Sequence, residues 1–145
     1  MIDGCCPGSG LKGGDGADVG ARPLGPDDAA EMLTLATLTR PQPFRERTHE
    51  LGGFIGVRRD GRLGAMAGQR LRLDGFTELS GVRTHPDFRG QTLADALSRR
   101  VVSNILAGGD RAFLHAYAGH EATARLYESL GFAVRAQVIY TVRAD

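Results

Sequence analysis

The sequence predicts an α+β domain in which one twisted, mostly antiparallel mixed sheet is flanked by helices. Two Asp-Gly pairs, Asp60-Gly61 and Asp74-Gly75, separate three strand-like runs, and this dipeptide favours the tight turn of a two-residue hairpin. Beyond Pro86 the pattern changes to helix, strand, helix and closing strands, with apolar residues at helical spacing in the helical stretches. Antiparallel strands that feed alternating helices and strands pack around a single mixed sheet.

The 145 residues suit one domain, with 21–145 as the expected folded unit and 1–20 as a disordered, glycine-rich tail. At 41% hydrophobic and 24% charged residues, the chain can bury a core. From Asp3 to Gly20 there is too little large apolar surface to offset the entropy of ordering it. Gly8 to Gly13 matches GxGxxG, a pattern that needs a strand before it and a helix after it, but here it follows Cys-Cys-Pro and runs into Gly-Asp-Gly, so it reads as a linker and not a dinucleotide site. A formal net charge of +1 gives no global field for nucleic acid or an anionic membrane, although Lys12 is the only lysine among 18 basic residues. No stretch approaches the roughly 18 apolar residues of a membrane span, and the start MIDGCCPGSGLKGG lacks the basic and apolar regions of a secretory signal. The cytoplasm is therefore the expected compartment. Adjacent Cys5 and Cys6 are poorly placed for a mutual disulfide and lack zinc spacing, and the four histidines form no metal pattern.

Order is expected to begin near Val19 to Leu24 as a short edge strand. Pro26-Asp27-Asp28 opens a helix in which Asp28 and Glu31 make a variant capping box and Ala29, Met32, Leu33 and Ala36 an apolar face. Pro41 and Pro43 end it, and Arg45 to Glu50 is a loop or a short helix. Phe54 to Val57 starts the meander, and on the return strand Leu63, Ala65, Ala67, Leu71 and Leu73 alternate onto one face. The third strand runs from Phe76 to about Thr84. A helix from Gly90 to Ala107 repeats Leu93, Leu97, Val101 and Ile105 every four residues, and Gly108-Gly109 stops it. Ala112 to Tyr117 is a strand, Ala122 to Leu130 a helix closed by Gly131, and Phe132 to Arg135 and Val138 to Val142 are closing strands.

The chemically informative stretch is GVRTHPDFRGQTLA, Gly81 to Ala94, where a strand passes through His-Pro into an arginine-glycine loop that opens a helix. A helix N-terminus presents unpaired N–H groups and a positive dipole end, which suit a phosphate or pyrophosphate. The second stretch, Phe113 to Phe132, reads FLHAYAGHEATARLYESLGF. Together they resemble the signature segments of the GNAT superfamily of acyl-CoA N-acyltransferases. Arg89, Gly90, Thr92 and Ala94 match the pyrophosphate loop, and Leu126, Tyr127, Glu128, Leu130, Gly131 and Phe132 match the LYExLGF ending. The phrase SGVRTHPDFRG is similar to one shared by bacterial acetyltransferase-like proteins and the C-terminal half of glycine N-acyltransferases. The resemblance covers roughly residues 20 to 143.

This resemblance implies a GNAT fold with strands splayed at the acyl-CoA site, acetyl-CoA as donor substrate, no metal, and direct attack by a primary amine on a small molecule or peptide. The cofactor clamp would be the loop Arg89, Gly90, Gln91, Thr92, Leu93 and Ala94, with the Arg89 side chain on a phosphate oxygen. Backbone groups of Val82, Arg83 and Thr84 would hold the pantetheine arm like an added strand, and His120 stands where related sequences often have an asparagine that meets this arm. Tyr127 resembles the tyrosine that protonates the departing thiolate, its alternative being a packed core tyrosine. Glu78 is the candidate base for the ammonium, or else a rim carboxylate paired with an arginine. His85 reads as a turn former and His115 as a packed or hydrogen-bonded histidine; Arg99 and Arg100 reach a 3′-phosphate or only solvate their helix. Thr92 departs from the glycine usual in the loop, so its branched side chain either crowds a phosphate or adds a hydroxyl donor. Two function classes stay open: an N-acetyltransferase, and a non-catalytic domain of the same fold acting as a weak acyl-CoA sensor or partner-binding module. A homodimer through the C-terminal strands fits either, and neither calls for nucleic acid or membrane.

Overall fold

Three strands, β3 (Ile55–Arg59), β4 (Arg62–Leu73) and β5 (Phe76–Thr84), form the antiparallel meander that the Asp-Gly pairs predict. At the first turn Asp60 and Gly61 both take positive φ, 53° and 74°, the backbone of a primed hairpin turn that follows strand twist. The computed structural model describes residues 2–5, 20–39, 50, 52–90, 92–116 and 121–137. Around the meander lie β1 (Ile2–Cys5), β2 (Arg22–Pro23), α1 (Ala29–Thr39), α2 (Leu93–Ala107), β6 (Arg111–Ala116), α3 (Glu121–Ser129) and β7 (Val134–Gln137). They form one seven-stranded sheet in the order β2-β3-β4-β5-β6-β1-β7. Among the described strands only β5 and β6 run parallel, and α2 supplies the crossover that a parallel pair needs.

The sheet has a core on each face. Under α2, Leu93, Leu97, Val101 and Ile105 are all buried against Ala65, Ala67, Leu79 and Leu114, as their four-residue spacing predicts. On the other face α1 buries Met32, Leu35 and Ala36 with Phe54, Leu63 and Met66. The strict alternation expected along β4 does not hold. Gly64 is an extra residue between the pairs Val57↔Ala65 and Arg58↔Leu63, and this bulge turns Leu63 away from Ala65 and onto the α1 side. A second irregularity sets Arg70 and Leu71 together opposite Glu78, between the pairs Gln69↔Leu79 and Arg72↔Thr77. Leu71 within it and Leu73 beyond it are 44% and 54% exposed, not core.

Phe54 fixes a third bulge. The pairs Met66↔Arg83 and Gly68↔Ser80 leave an extra residue in β5 at Gly81–Val82, and Gly81 has φ of +67°. The Phe54 ring fills the space beside both glycines: a Cβ on Gly68 would come within 2.6 Å of it and one on Gly81 within 2.7 Å. Gly68→Ala is therefore expected to lower stability by about 1–3 kcal/mol through overpacking, read as a reduced denaturation midpoint at unchanged m-value.

The entry to α1 differs in detail from the expected capping box. Pro26–Asp28 forms a single 3₁₀ turn, and Asp28 reaches back to accept the Gly25 N–H at 2.9 Å. Glu31 instead pairs with Arg58, which bonds Asp28 and Glu31 at 2.8 Å each. The Gly25 N–H and then Arg58 hold the Asp28 carboxyl below its ordinary range, and Arg58 does the same for Glu31. Depressed folded values mean that the stabilisation is present above about pH 4 and lost as pH falls through them. Thermal melts from pH 6 down to about pH 2.5 should show Arg58→Ala losing less stability on acidification than the parent.

Two further expectations are corrected. Residues 1–20 are not all tail, because Ile2–Cys5 forms β1, paired antiparallel with β6 on one side and β7 on the other. Local composition does not register such a strand, since its partners are supplied by distant backbone. The helix expected from Gly90 starts at Leu93, because Gly90 and Thr92 take φ of +82° and +58°, outside any right-handed helix. The GxGxxG stretch from Gly8 to Gly13, Arg45 to His49, and Val138 to Val142 lie outside the described residues.

Candidate functional site

A cleft of about 690 Å³ opens where the N-terminus of α2 meets the end of β5 and one side of α3. The sheet itself makes room for it. The parallel ladder between β5 and β6 consists of Phe76↔Arg111, Thr77↔Ala112 and Glu78↔Phe113, after which the strands part. From that point Val82, Arg83 and Thr84 line the cleft with Arg89, Gly90, Thr92, Leu93 and Ala94. The structure thus brings together eight of the residues that the motif resemblance selects. Gln91 and His120 lie outside the described residues.

The cleft's donors come from the helix end. Ala96 N–H bonds the Thr92 carbonyl at 3.1 Å, the first turn of α2, so the N–H groups of Leu93, Ala94 and Asp95 have no intrahelical acceptor. Backbone donors at the positive end of the helix dipole suit an anionic oxygen. Gly90 leaves open space where a Cβ would project, so a phosphate can approach the backbone there. Thr92 stands in the left-handed region at φ 58°, ψ 21°, and its hydroxyl does not cap the helix. A branched residue is strained there by roughly 1–2 kcal/mol, which is the physical content of the missing glycine. Asp95 adds a carboxylate to the cleft wall and accepts from Arg99 Nε at 2.9 Å.

His85 confirms its reading as a turn former: its Nδ1 accepts the Asp87 N–H at 3.1 Å at the head of the Pro86–Phe88 turn, and its ring tilts against Phe88. Tyr127 follows the cleft residue Leu126 on α3, packs against the core beneath α2 and meets Phe132 edge-on at 6.1 Å between ring centres. Burial pushes its phenol up to about 12, opposed by the positive charge of Arg83. Arg83, selected from the sequence for its backbone, therefore also sets the electrostatic environment of Tyr127.

Glu78 is not among the cleft-lining residues. Its side chain is 2% exposed and is held by Arg70, whose Nε donates to Oε2 at 3.1 Å and Nη2 to Oε1 at 3.0 Å. His115 Nδ1 lies 2.9 Å from the same Oε1. The pairing with an arginine was one of the two sequence readings, but the carboxylate is buried, not on the rim. Arg70 was missed altogether, because a regular hairpin register places Leu71 opposite Glu78 and only the β4 bulge brings Arg70 there. Among the described residues no group of His, Cys, Asp or Glu could hold a metal ion, and no helix is long and apolar enough to cross a membrane.

The family described as FR47-like protein matches residues 54–141, a span that contains the meander, the loop at Arg89–Ala94 and the Tyr127 helix. The chain belongs to the FR47-like family, within the GNAT superfamily. This FR47-like protein superposes on an acetyltransferase assigned to the GNAT family from Novosphingobium aromaticivorans DSM 12444 with TM-score 0.84 and 42% identity, covering 92% of this chain and 59% of that one. It also matches the ribosomal-protein-S18-alanine N-acetyltransferase of Escherichia coli, with TM-score 0.68 and 24% identity over 78% of this chain and 76% of that chain. A third match is AAC(6')-Iy in complex with the bisubstrate analogue CoA-S-monomethyl-acetylneamine, with TM-score 0.67 and 17% identity over 86% of this chain and 97% of that chain. The last two share the fold. Curated protein sequences give no match.

Proposed function

We propose that this FR47-like domain is an N-acetyltransferase that moves an acetyl group from acetyl-CoA to a primary amine by direct attack, without a metal. The observation that carries the reading is the coincidence of two features in one cleft. One is a helix N-terminus whose N–H donors at Leu93, Ala94 and Asp95 have no acceptor within the helix, and the other is a sheet that parts beside Val82 to Thr84. The donor set suits a pyrophosphate, and the opened strand edge suits an amide-bearing arm lying along β5 like an added strand. Acetyl-CoA would supply the activated thioester carbonyl. The loop from Arg89 to Ala94 holds its phosphates, with Gln91 and His120 as further contacts; β5 backbone orients the arm and gives an N–H to the oxyanion; Tyr127 donates a proton to the leaving thiolate. AAC(6')-Iy, which shares the fold, was solved with a CoA-containing bisubstrate analogue, and this supports CoA as the donor carrier. The acceptor is an amine on a small molecule or a peptide, and the expected setting is the cytoplasm.

One observation favours a second reading, a weak acyl-CoA sensor: the left-handed Thr92 projects a branched side chain into the phosphate loop. Calorimetric titration with acetyl-CoA to millimolar concentration tests both. Saturable binding is then followed by thiol release from acetyl-CoA over a panel of a primary alkylamine, a polyamine, a lysine peptide and a peptide with a free N-terminus. Turnover supports the transferase, binding without turnover supports the sensor, and no binding removes both. Thr92→Gly is expected to tighten acetyl-CoA binding, with stability changed by less than about 1 kcal/mol because relief of strain is offset by glycine's chain entropy. Weaker binding would show instead that the Thr92 hydroxyl is a phosphate donor.

A further inference from the structure

Resting on the acetyl-transfer reading, we propose that His115 takes the proton from the acceptor's ammonium group, with Glu78 as its positioning residue and Arg70 as the counter-charge that holds Glu78 in place. Three observations lead there. First, Glu78 is badly placed to meet an ammonium itself. Its carboxylate is 2% exposed, Oε2 takes Arg70 Nε, and Oε1 takes both Arg70 Nη2 and the His115 ring. His115, at 20% exposed, reaches nearer the surface than the Glu78 it bonds, and Arg70 on the other side of the carboxylate is 27% exposed and, as a permanent cation, takes no proton. Second, an ionised carboxylate accepts and does not donate, so the nitrogen facing Glu78 is Nδ1–H and the lone pair of a neutral ring is on Nε2. A base oriented in this way by a carboxylate on its other nitrogen is a general design for proton abstraction.

Third, His115 stands beside the parting of the strands, on the face away from α2 and not among the residues that line the cleft. Glu78 belongs to the last paired rung of β5 and β6, Glu78↔Phe113, and His115 comes two residues later on β6, where β5 has parted from it. Leu79, Ala112 and Leu114 belong to the core beneath α2, so strand alternation sends Glu78, Phe113 and His115 to the opposite face. Tyr127 packs against the α2 core. The group that removes a proton and the group that supplies one therefore flank the parting of the strands from its two faces. Phe113 holds the imidazole edge-on at 5.8 Å and is itself met by Phe76 at 6.4 Å, which restrains the ring.

The step balances. His115 Nε2 gains the proton of R–NH₃⁺, and Glu78 stabilises the resulting imidazolium. The free amine forms the C–N bond to the thioester carbonyl, and the C–S bond breaks as the thiolate takes the Tyr127 proton. The second proton shed by nitrogen returns through solvent to Tyr127, and His115 releases its own to solvent.

The test combines a spectroscopic and a kinetic measurement on the full chain. Nitrogen-15 NMR of histidine-labelled protein at mildly alkaline pH should show His115 as the Nδ1–H tautomer, and Glu78→Gln should abolish that preference. With acetyl-CoA and whichever amine of the panel turns over, His115→Ala should lower kcat by about 10²- to 10³-fold, leave the acetyl-CoA KM within about twofold, and regain activity with added imidazole. His115→Gln, closer in volume, should show the same kcat loss with an unchanged melting temperature. Glu78→Gln should lower kcat by about 10-fold or more. An Nε2–H tautomer, or a wild-type rate in both His115 variants, would overturn the assignment while leaving acetyl transfer intact. Failure of the parent protein to bind acetyl-CoA or to acetylate any amine would instead overturn the transfer reading and this proposal with it.

Discussion

Replacing Tyr127 by phenylalanine is expected to lower kcat by about two to three orders of magnitude while the acetyl-CoA KM stays within about twofold. The split follows from what the side chain touches. Its ring packs against the α2 core and Phe132, contacts that phenylalanine keeps, and only the hydroxyl is lost. That hydroxyl is protonated throughout the neutral range, because burial pushes it up to about 12. Surrendering a proton from such a site is favourable only if the phenolate is stabilised, and the Arg83 charge acts in that direction. Steady-state rates of thiol release check this, and an unchanged kcat would remove Tyr127 from the reaction. The stability consequence has a definite sign as well. A phenol raised in the folded state stabilises fully below about pH 10 and loses that contribution as pH rises towards 12. Melts of the phenylalanine variant should lack this alkaline loss.

Arg70→Met should cost about 3–5 kcal/mol of folding stability, the range found when one partner of a buried pair is removed and the other stays. Among the described residues Glu78 would keep only the His115 contact, in a site where it is 2% exposed. The double variant Arg70→Met with Glu78→Leu should recover much of the loss, since apolar groups of similar volume replace buried pairs at little cost. Urea denaturation of the parent, the single and the double variants closes the comparison. A loss below about 1 kcal/mol in the single variant would mean that Arg70 behaves as a surface partner.

Much of this architecture is legible in the sequence because it rests on local rules. The Asp-Gly turns, the four-residue repeat from Leu93 to Ile105 and the helix stop at Gly108-Gly109 each depend on a few neighbouring residues. The cleft wall was legible for a different reason: its loop and helix start follow one another along the chain. What the sequence hides is non-local. The three bulges at Gly64, Arg70–Leu71 and Gly81–Val82 shift strand register by one residue each, and a shift of one changes the face that every later side chain occupies. Arg70 therefore reaches Glu78, and Leu71 and Leu73 reach solvent, against the simple alternation. Gly81 carried a signal that could have been used, a glycine inside a strand, which often marks a bulge or a close backbone approach; here it marks both. The strand at Ile2–Cys5 has no comparable signal.

The three-rung ladder between β5 and β6 divides the sheet mechanically. Strands β2 to β5 form one slab and β6, β1 and β7 another, joined in the sheet plane, among the described residues, by the pairs from Phe76↔Arg111 to Glu78↔Phe113. Near this seam the buried Thr77 hydroxyl donates to Asp110 at 2.7 Å, a side-chain stitch beside the ladder. A short ladder has few bonds to break, so the sheet opens more readily at this seam than along the longer β4–β5 ladder beside it. Amide hydrogen exchange should be slow within the meander and faster along the parted edges of β5 and β6. A molecule lying between the slabs would act as a splint, slowing exchange on both edges together.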